Sequence, residues 1–326
     1  MNNSWTVLVP AVYERFLPDH IDDFSTYRTY PSEVSTGDLC RRISECDAFV
    51  HRTVALTEEV LSNAPNLQII VKAGIGLDAI NVQAASERGI IVCNTPGTNA
   101  RTVAEQTLTL LLAAWKQLLP ADQSVRSDGW NEHRLDRTRH EIPDIHGITL
   151  GIFGCGNIGT QTATLANGLG MDCIGYDPYI SRSEMPSLIT PISDKSKFFE
   201  KSEAICVHVP ITDETRGTIT LEDLRKVGPA GVVVNTARGG IIDESALHIA
   251  LTEGAIRAAG LDVMHQEPPP TDHPLLDRTD VVFSPHIAGV SEDAYINASR
   301  QIATHLRTAY EGDLPETIVN AADLNT

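Results

Sequence analysis

Positive charge is scarce in this chain of 326 residues: 25 Lys+Arg stand against 43 Asp+Glu, a formal net charge of −18. That deficit excludes a broad electrostatic footprint for nucleic acid or an anionic membrane. It leaves an anionic small molecule open, because one pocket can oppose the sign of the whole surface. Lysine is rarer than arginine, 6 against 19; an acidic surface in a salty cytoplasm and a GC-rich gene would both produce this bias. Long apolar runs are also missing. The longest, 108–115, contains Thr109 and is far too short to span a bilayer. No basic-then-apolar leader opens the chain; MNNSWTVLVP reads as a polar start running into a buried strand. The six cysteines (Cys40, Cys46, Cys93, Cys155, Cys173 and Cys206) form no C-x-x-C pair. In or beside apolar runs such residues read as small buried hydrophobes. The expectation is a soluble cytoplasmic protein with reduced thiols and no metal.

What is present has ordinary globular proportions, 42% hydrophobic and 21% charged, so disorder throughout is excluded. At roughly 100–200 residues per domain the length fits two domains or one large α/β unit. In the first hundred residues, Val- and Ile-rich strand candidates (5–9, 48–51, 67–72, 90–93) alternate with helix candidates (36–44, 57–63, 81–88). Such alternation predicts a parallel sheet covered on both faces. A long helix is expected from 99 to 119, apolar around most of its circumference and ended by Pro120. The polar stretch 128–144, with its charged run HRLDRTRHE, reads as a solvated excursion. At Ile148 the pattern restarts: strands are expected at 148–154, 172–176, 204–209, 231–236, 258–261 and 281–284. Helices are expected at 157–169, 221–226, 244–253 and 292–311.

Gly154-Cys155-Gly156-Asn157-Ile158-Gly159 is G-x-G-x-x-G between a buried strand and a helix, and Asp177 follows Gly159 by 18 positions. This is the context of a dinucleotide fingerprint. Gly154 allows the tight turn, Gly156 lets the backbone approach a pyrophosphate, and Gly159 lets helix and strand pack closely. Asp177 would accept bonds from ribose hydroxyls and repel a 2′-phosphate, which favours NAD over NADP. Arg182, five residues on, keeps NADP in play.

Further polar residues follow strands, at the carboxyl edge where open α/β sheets bind ligands. Arg238 has the planar fork for a carboxylate. His286 is the natural acid/base near neutral pH, and Glu267 is placed to hold its imidazole. Each alone has an ordinary alternative as a surface or structural residue; together, downstream of the fingerprint, they describe a hydride-transfer site. His208, before Val209 and Pro210, competes as acid/base, though its strand-end position suits a cofactor-side or structural role.

These residues closely resemble the D-isomer specific 2-hydroxyacid dehydrogenase family, of the phosphoglycerate dehydrogenase and hydroxypyruvate reductase kind. The matching segments include KAGIGLDAI (72–80), GIFGCGNIG (151–159), HVPITDETRGTI (208–219), NTARGGIIDESAL (235–247), AAGLDVMHQEPPP (258–270) and SPHIAG (284–289). The resemblance implies two Rossmann-like doubly wound domains. A cofactor domain, 99–291, would be inserted into a discontinuous, flavodoxin-like substrate domain, 1–98 and 292–326, with the active site in the cleft. Arg238, Glu267 and His286 match the catalytic triad. Asn157, Ile158, Asp177, Thr236, Asp262 and Gly289 match cofactor contacts, joined by His208, Val209, Pro210, Thr215 and Ala237. Ala73, Gly74, Ile75 and Gly76 match the loop whose amides hold the substrate carboxylate. His51 aligns with a phosphate-contacting Arg of phosphoglycerate dehydrogenases, with Arg52 one step along on the opposite strand face. Ala79 replaces the Asn most members carry there.

The implied chemistry interconverts a 2-keto acid and a D-2-hydroxy acid, with His286 as acid/base. Hydroxypyruvate or glyoxylate, 3-phosphoglycerate, or another anionic 2-hydroxy acid are the substrate candidates. A homodimer through the cofactor domain is implied as well. Relatives of this fold that act as dinucleotide-sensing corepressors supply the alternative reading.

Overall fold

The computed structural model describes residues 4–127, 129–130 and 142–324; most of the polar stretch expected at 128–144 lies outside them. The chain divides into two compact units, Met1–Asn99 with Val290–Thr326, and Ala100–Gly289.

In the first unit, β1 (Trp5–Pro10), β2 (Ser25–Tyr30), β3 (Ala48–His51), β4 (Ile69–Lys72) and β5 (Ile91–Asn94) form a parallel sheet. Its order is β2-β1-β3-β4-β5, the flavodoxin-like arrangement. Alternate residues serve opposite layers. Leu8, Phe49, Ile70 and Val92 face a core with Leu39, Ile43, Leu61 and Ala85. Val7, Val50, Ile69 and Val71 face Ala298, Ile302 and Leu306 of the helix Glu292–Tyr310. The predicted helices form at Thr36–Ile43, Glu58–Ser62 and Val82–Ser86, capped by Ser35, Thr57 and Asn81, whose side chains each accept a first-turn N–H. The edge strand β2, STYRTY, has no counterpart among the expected strands.

The second unit holds a seven-stranded parallel sheet built from β6 (Thr149–Phe153), β7 (Asp172–Tyr176), β8 (Thr190–Pro191), β9 (Ala204–Val207), β10 (Val232–Asn235), β11 (Ala258–Leu261) and β12 (Val281–Phe283). The order β12-β11-β10-β9-β6-β7-β8 is the Rossmann order with one further strand, so the switch point lies between β6 and β9. One face packs on Leu110, Leu111, Ala114 and Trp115 of the helix Ala100–Trp115. That helix can approach because β11 carries Gly260, where a Cβ would stand 2.9 Å from Leu110 Cβ. The long helix expected to end at Pro120 breaks earlier, at Gln117 (φ 50°). Pro120 falls inside the first turn of a second helix, Leu118–Arg126, where its missing N–H costs nothing.

Candidate functional site

The second unit gathers the fingerprint and the acid/base candidates at the carboxyl edge of its sheet. Gly154 follows β6 with φ +99°, and a Cβ there would sit 2.8 Å from the His208 carbonyl carbon and Val209 Cγ1. At Gly159 a Cβ would come within 2.2 Å of Gly154 O. Gly156, by contrast, is exposed and faces open space. It caps the helix Asn157–Gly168 without any side-chain hydrogen bond, so Asn157 and Ile158 open a helix with bare N–H groups directed at that space. Asp177 Oδ2 accepts the Cys155 N–H and Oδ1 the Tyr179 N–H, both at 2.9 Å. The carboxylate is thereby pinned beside the glycine loop. This cradle fits a dinucleotide.

His208 lies behind the loop. Its Nε2 bonds Thr162 Oγ1 at 3.1 Å and Nδ1 is buried with no partner. Burial drives its pKa down to about 3, so the ring is neutral. It holds the loop from behind and is not the exposed acid/base. Thr215 ties its own loop: Oγ1 donates to Pro210 O at 2.6 Å and accepts the Thr212 N–H at 2.7 Å. Thr236 Oγ1 lies 2.7 Å from Thr107 Oγ1.

After β10, Asn235 shapes the turn that carries Arg238. Its Nδ2 donates to Arg238 O at 2.8 Å, and its Oδ1 accepts the Ala237 N–H at 3.0 Å. His286 sits in the turn after β12, in the left-handed region (φ 54°) that a non-glycine residue adopts only when its surroundings impose it. Asp262 imposes it. Its buried carboxylate accepts the Ser284 hydroxyl (2.5 Å) and the Ile287 (3.0 Å) and Ala288 (2.8 Å) N–H groups, and its carbonyl accepts the His286 N–H (2.8 Å). Gln106 Nε2 adds a bond to Ser284 Oγ at 3.1 Å. Asp262, expected as a cofactor contact, also fastens the turn that ends at Gly289. Gln106 escapes the sequence reading, and Ser284 enters it only as part of SPHIAG, because nothing but the fold brings the two together.

His286 Nδ1 lies 2.6 Å from Glu267 Oε2, and Glu267 Oε1 accepts the Met264 N–H at 3.1 Å. With the carboxylate on Nδ1, Nε2 is the nitrogen left for chemistry, on a side chain 46% exposed.

In the first unit, the loop after β4 turns at Gly74 (φ +116°), whose N–H donates to Thr95 Oγ1 at 2.7 Å. The Ala73 N–H reaches His51 O at 2.9 Å. Among the described residues the adjacent Ile75 and Gly76 N–H groups have no hydrogen-bond partner. His51, expected among the substrate contacts, is interior. It is 0% exposed, and its Nε2–H is spent on Val54 O at 2.6 Å. Burial, then the neighbouring Lys72 charge, lowers its pKa to about 3. The Arg52 guanidinium carbon stands 5.5 Å over the Tyr295 ring, and Lys72 Nζ donates to Arg52 O.

Residues 108–288 match the family model described as D-isomer specific 2-hydroxyacid dehydrogenase, NAD binding domain. The chain is 38% identical over 298 residues to a D-3-phosphoglycerate dehydrogenase of Methanocaldococcus jannaschii, covering 90% of this chain and 56% of that protein. It therefore spans about half the length of such relatives. With a glyoxylate reductase of Korarchaeum cryptofilum it shares 37% identity, covering 86% of this chain and 85% of that one. A crystal structure of an NADPH-dependent glyoxylate/hydroxypyruvate reductase from Sinorhizobium meliloti superposes with TM-score 0.80 at 25% identity, covering 98% of both chains.

Proposed function

Because the chain belongs to the D-isomer specific 2-hydroxyacid dehydrogenase family, we propose that it interconverts a small 2-keto acid and the corresponding D-2-hydroxy acid, using NAD(H). The observation that carries this reading is the Glu267–His286 pair, 2.6 Å apart, on the same sheet edge as the glycine loop. NAD(H), when bound, supplies or accepts the hydride. His286 moves the proton: protonated, it gives Nε2–H to the carbonyl oxygen during reduction, and neutral, it takes the hydroxyl proton during oxidation. Glu267 keeps Nδ1 engaged, so the ring presents Nε2 and the imidazolium is stabilised as it forms. Arg238 offers its fork to the substrate carboxylate and orients C2. Asn157, Ile158 and Asp177 hold the dinucleotide. The free carboxylate lone pairs of Asp177 suit ribose hydroxyls and oppose a 2′-phosphate, which supports NAD over NADP.

Glyoxylate or hydroxypyruvate suits the first unit better than a 3-phospho substrate, since the imidazole aligned with the phosphate-contacting Arg is neutral and buried. A homodimer through the second unit is part of the proposal. The helix Leu118–Arg126 has no buried residue and exposes Leu118, Leu119 and Val125. No helix among the described residues is long and apolar enough to cross a membrane.

The test is NADH and NADPH oxidation with glyoxylate, hydroxypyruvate and 3-phosphohydroxypyruvate, for the wild type and His286→Ala. Turnover should favour NADH and the unphosphorylated acids, and the variant should lose about 10²–10⁴-fold in kcat. Near-wild-type turnover by His286→Ala would remove His286 from its role.

A further inference from the structure

We infer that Glu244 and His273 form a clasp that positions Glu267 against His286; the inference rests on the acid/base reading just given. Glu267 stands on the loop between β11 and β12, followed by Pro268, Pro269 and Pro270. Two points of that loop, one on each side of Glu267, are fastened to a single carboxylate. Glu244 Oε1 accepts the His265 N–H at 2.5 Å, and Glu244 Oε2 accepts from His273 Nε2 at 3.1 Å. Both side chains are largely covered, 18% exposed each. His273 Nδ1 meanwhile accepts the Leu275 N–H at 3.3 Å. With Nδ1 occupied as an acceptor, Nε2–H is the donor to Glu244 Oε2 and completes the clasp.

The carboxylate is well anchored from its own side. Glu244 opens the helix Glu244–Thr252, where the dipole favours an anion, and Asp243 caps that helix by accepting the Ser245 and Ala246 N–H groups. The helix continues from the turn that bears Arg238. Between them, Gly239 lies so near the Glu267 loop that a Cβ would fall 2.0 Å from Met264 O and 2.5 Å from His265 N. The loop of the carboxylate-binding arginine and the loop of the histidine's partner are thus packed backbone to backbone, and Glu244 locks the second loop to the first. Glu267 itself contributes only one bond to its own loop, from Met264 N–H. Its aim depends on what fixes the residues to either side. Glu244 and His273 are positioning residues: they act through Glu267 and contact neither reacting atom.

The experiment compares His273→Ala, His273→Gln and Glu244→Gln in the wild type, and His273→Ala in a Glu267→Ala background. Glutamine places an amide N–H where Nε2–H stood, so His273→Gln should keep most activity. His273→Ala should lower kcat with glyoxylate and NADH about tenfold, with KM changed less than threefold, and Glu244→Gln should fall between. With Glu267 absent there is nothing left to aim, so His273→Ala should then cost less than twofold. Equal losses in both backgrounds would overturn the inference. A second readout needs no turnover: the downfield proton resonance of the His286 Nδ1–H, identified by its loss in His286→Asn. In His273→Ala it should shift upfield or broaden away, and in His273→Gln it should return. An unchanged resonance in His273→Ala would sink the clasp even if the protein proved to act on no keto acid at all.

Discussion

Asp262 Oδ2 accepts the Ala288 N–H at 2.8 Å, so a buried carboxylate after β11 determines the backbone of the turn that presents His286. Asp262→Asn would keep the shape and spoil this arrangement. One acceptor oxygen becomes a donor facing Ala288 N–H, or else Ile287 N–H and the Ser284 hydroxyl. Leaving a buried donor unmatched costs about 1–3 kcal/mol, and the left-handed conformation of His286 loses part of its restraint while the bond from His286 N–H to Asp262 O remains. The expected outcome is a lower urea midpoint together with a fall in kcat of at least tenfold. A variant with unchanged stability and turnover would contradict the role given to Asp262.

Gly156 and Gly159 should separate cofactor binding from folding. Gly156→Ala adds a Cβ to open space and should leave the thermal midpoint close to wild type while weakening NADH binding, read by fluorescence titration. Gly159→Ala drives a Cβ to 2.2 Å from Gly154 O and should destabilise the second unit by about 1–3 kcal/mol, the usual range for overpacking. Equal effects of the two substitutions on stability would count against this division.

Removing the Asp177 carboxylate should relax the choice of dinucleotide. Asp177→Ser is expected to raise the ratio of NADPH to NADH kcat/KM by about tenfold, equivalent to about 1.4 kcal/mol. Some stability should be lost too, because Cys155 N–H and Tyr179 N–H lose their acceptor. A ratio unmoved by the substitution would assign cofactor preference elsewhere.

Two buried neutral imidazoles predict a particular acid sensitivity. His51 and His208 have folded pKa values lowered to about 3 by burial, against 6.5 for an unburied ring. The unfolded chain therefore binds two more protons than the folded one in the intervening window. Their stabilising contribution is fully present above pH 6.5 and is lost as pH falls toward 3. Near pH 4.5 the two together give a slope of about 2.7 kcal/mol per pH unit. His51→Gln should reduce that slope by about 1.4 kcal/mol per unit, measured by urea denaturation from pH 7 to 4. An unaltered slope would mean that His51 is protonated in the folded chain.

Much of this site could be read from the sequence because its chemistry sits where chain patterns change. The glycine loop lies between a Val/Ile-type strand and a helix, and Arg238, Glu267 and His286 each follow a strand end. What could not be read depends on partners distant in sequence. His51 belongs to AFVH, in the central strand β3. Both faces of that strand are covered, so alternation carries no signal that the histidine points inward. Asp262 reads simply as a polar residue after a strand; only the fold brings Ser284, Ile287 and Ala288 to it. The strand STYRTY was invisible because an edge strand, half exposed, does not need the apolar run that marks its neighbours. Pro120 misled in the opposite direction. It marks a helix boundary, but as a first-turn residue of the next helix, with the actual break at Gln117.

The buried thiols offer a built-in clock. Cys46 and Cys93 lie in the cores of the first unit and Cys155, Cys173 and Cys206 in those of the second. Burial pushes Cys46 and Cys173 up to about 11 and Cys93 and Cys155 up to about 12. Neither alkylating reagents nor peroxide can reach them as thiolates until the surrounding layer opens. The order in which these sites become labelled during mild heating therefore records which half of the chain breathes first, with no introduced probe.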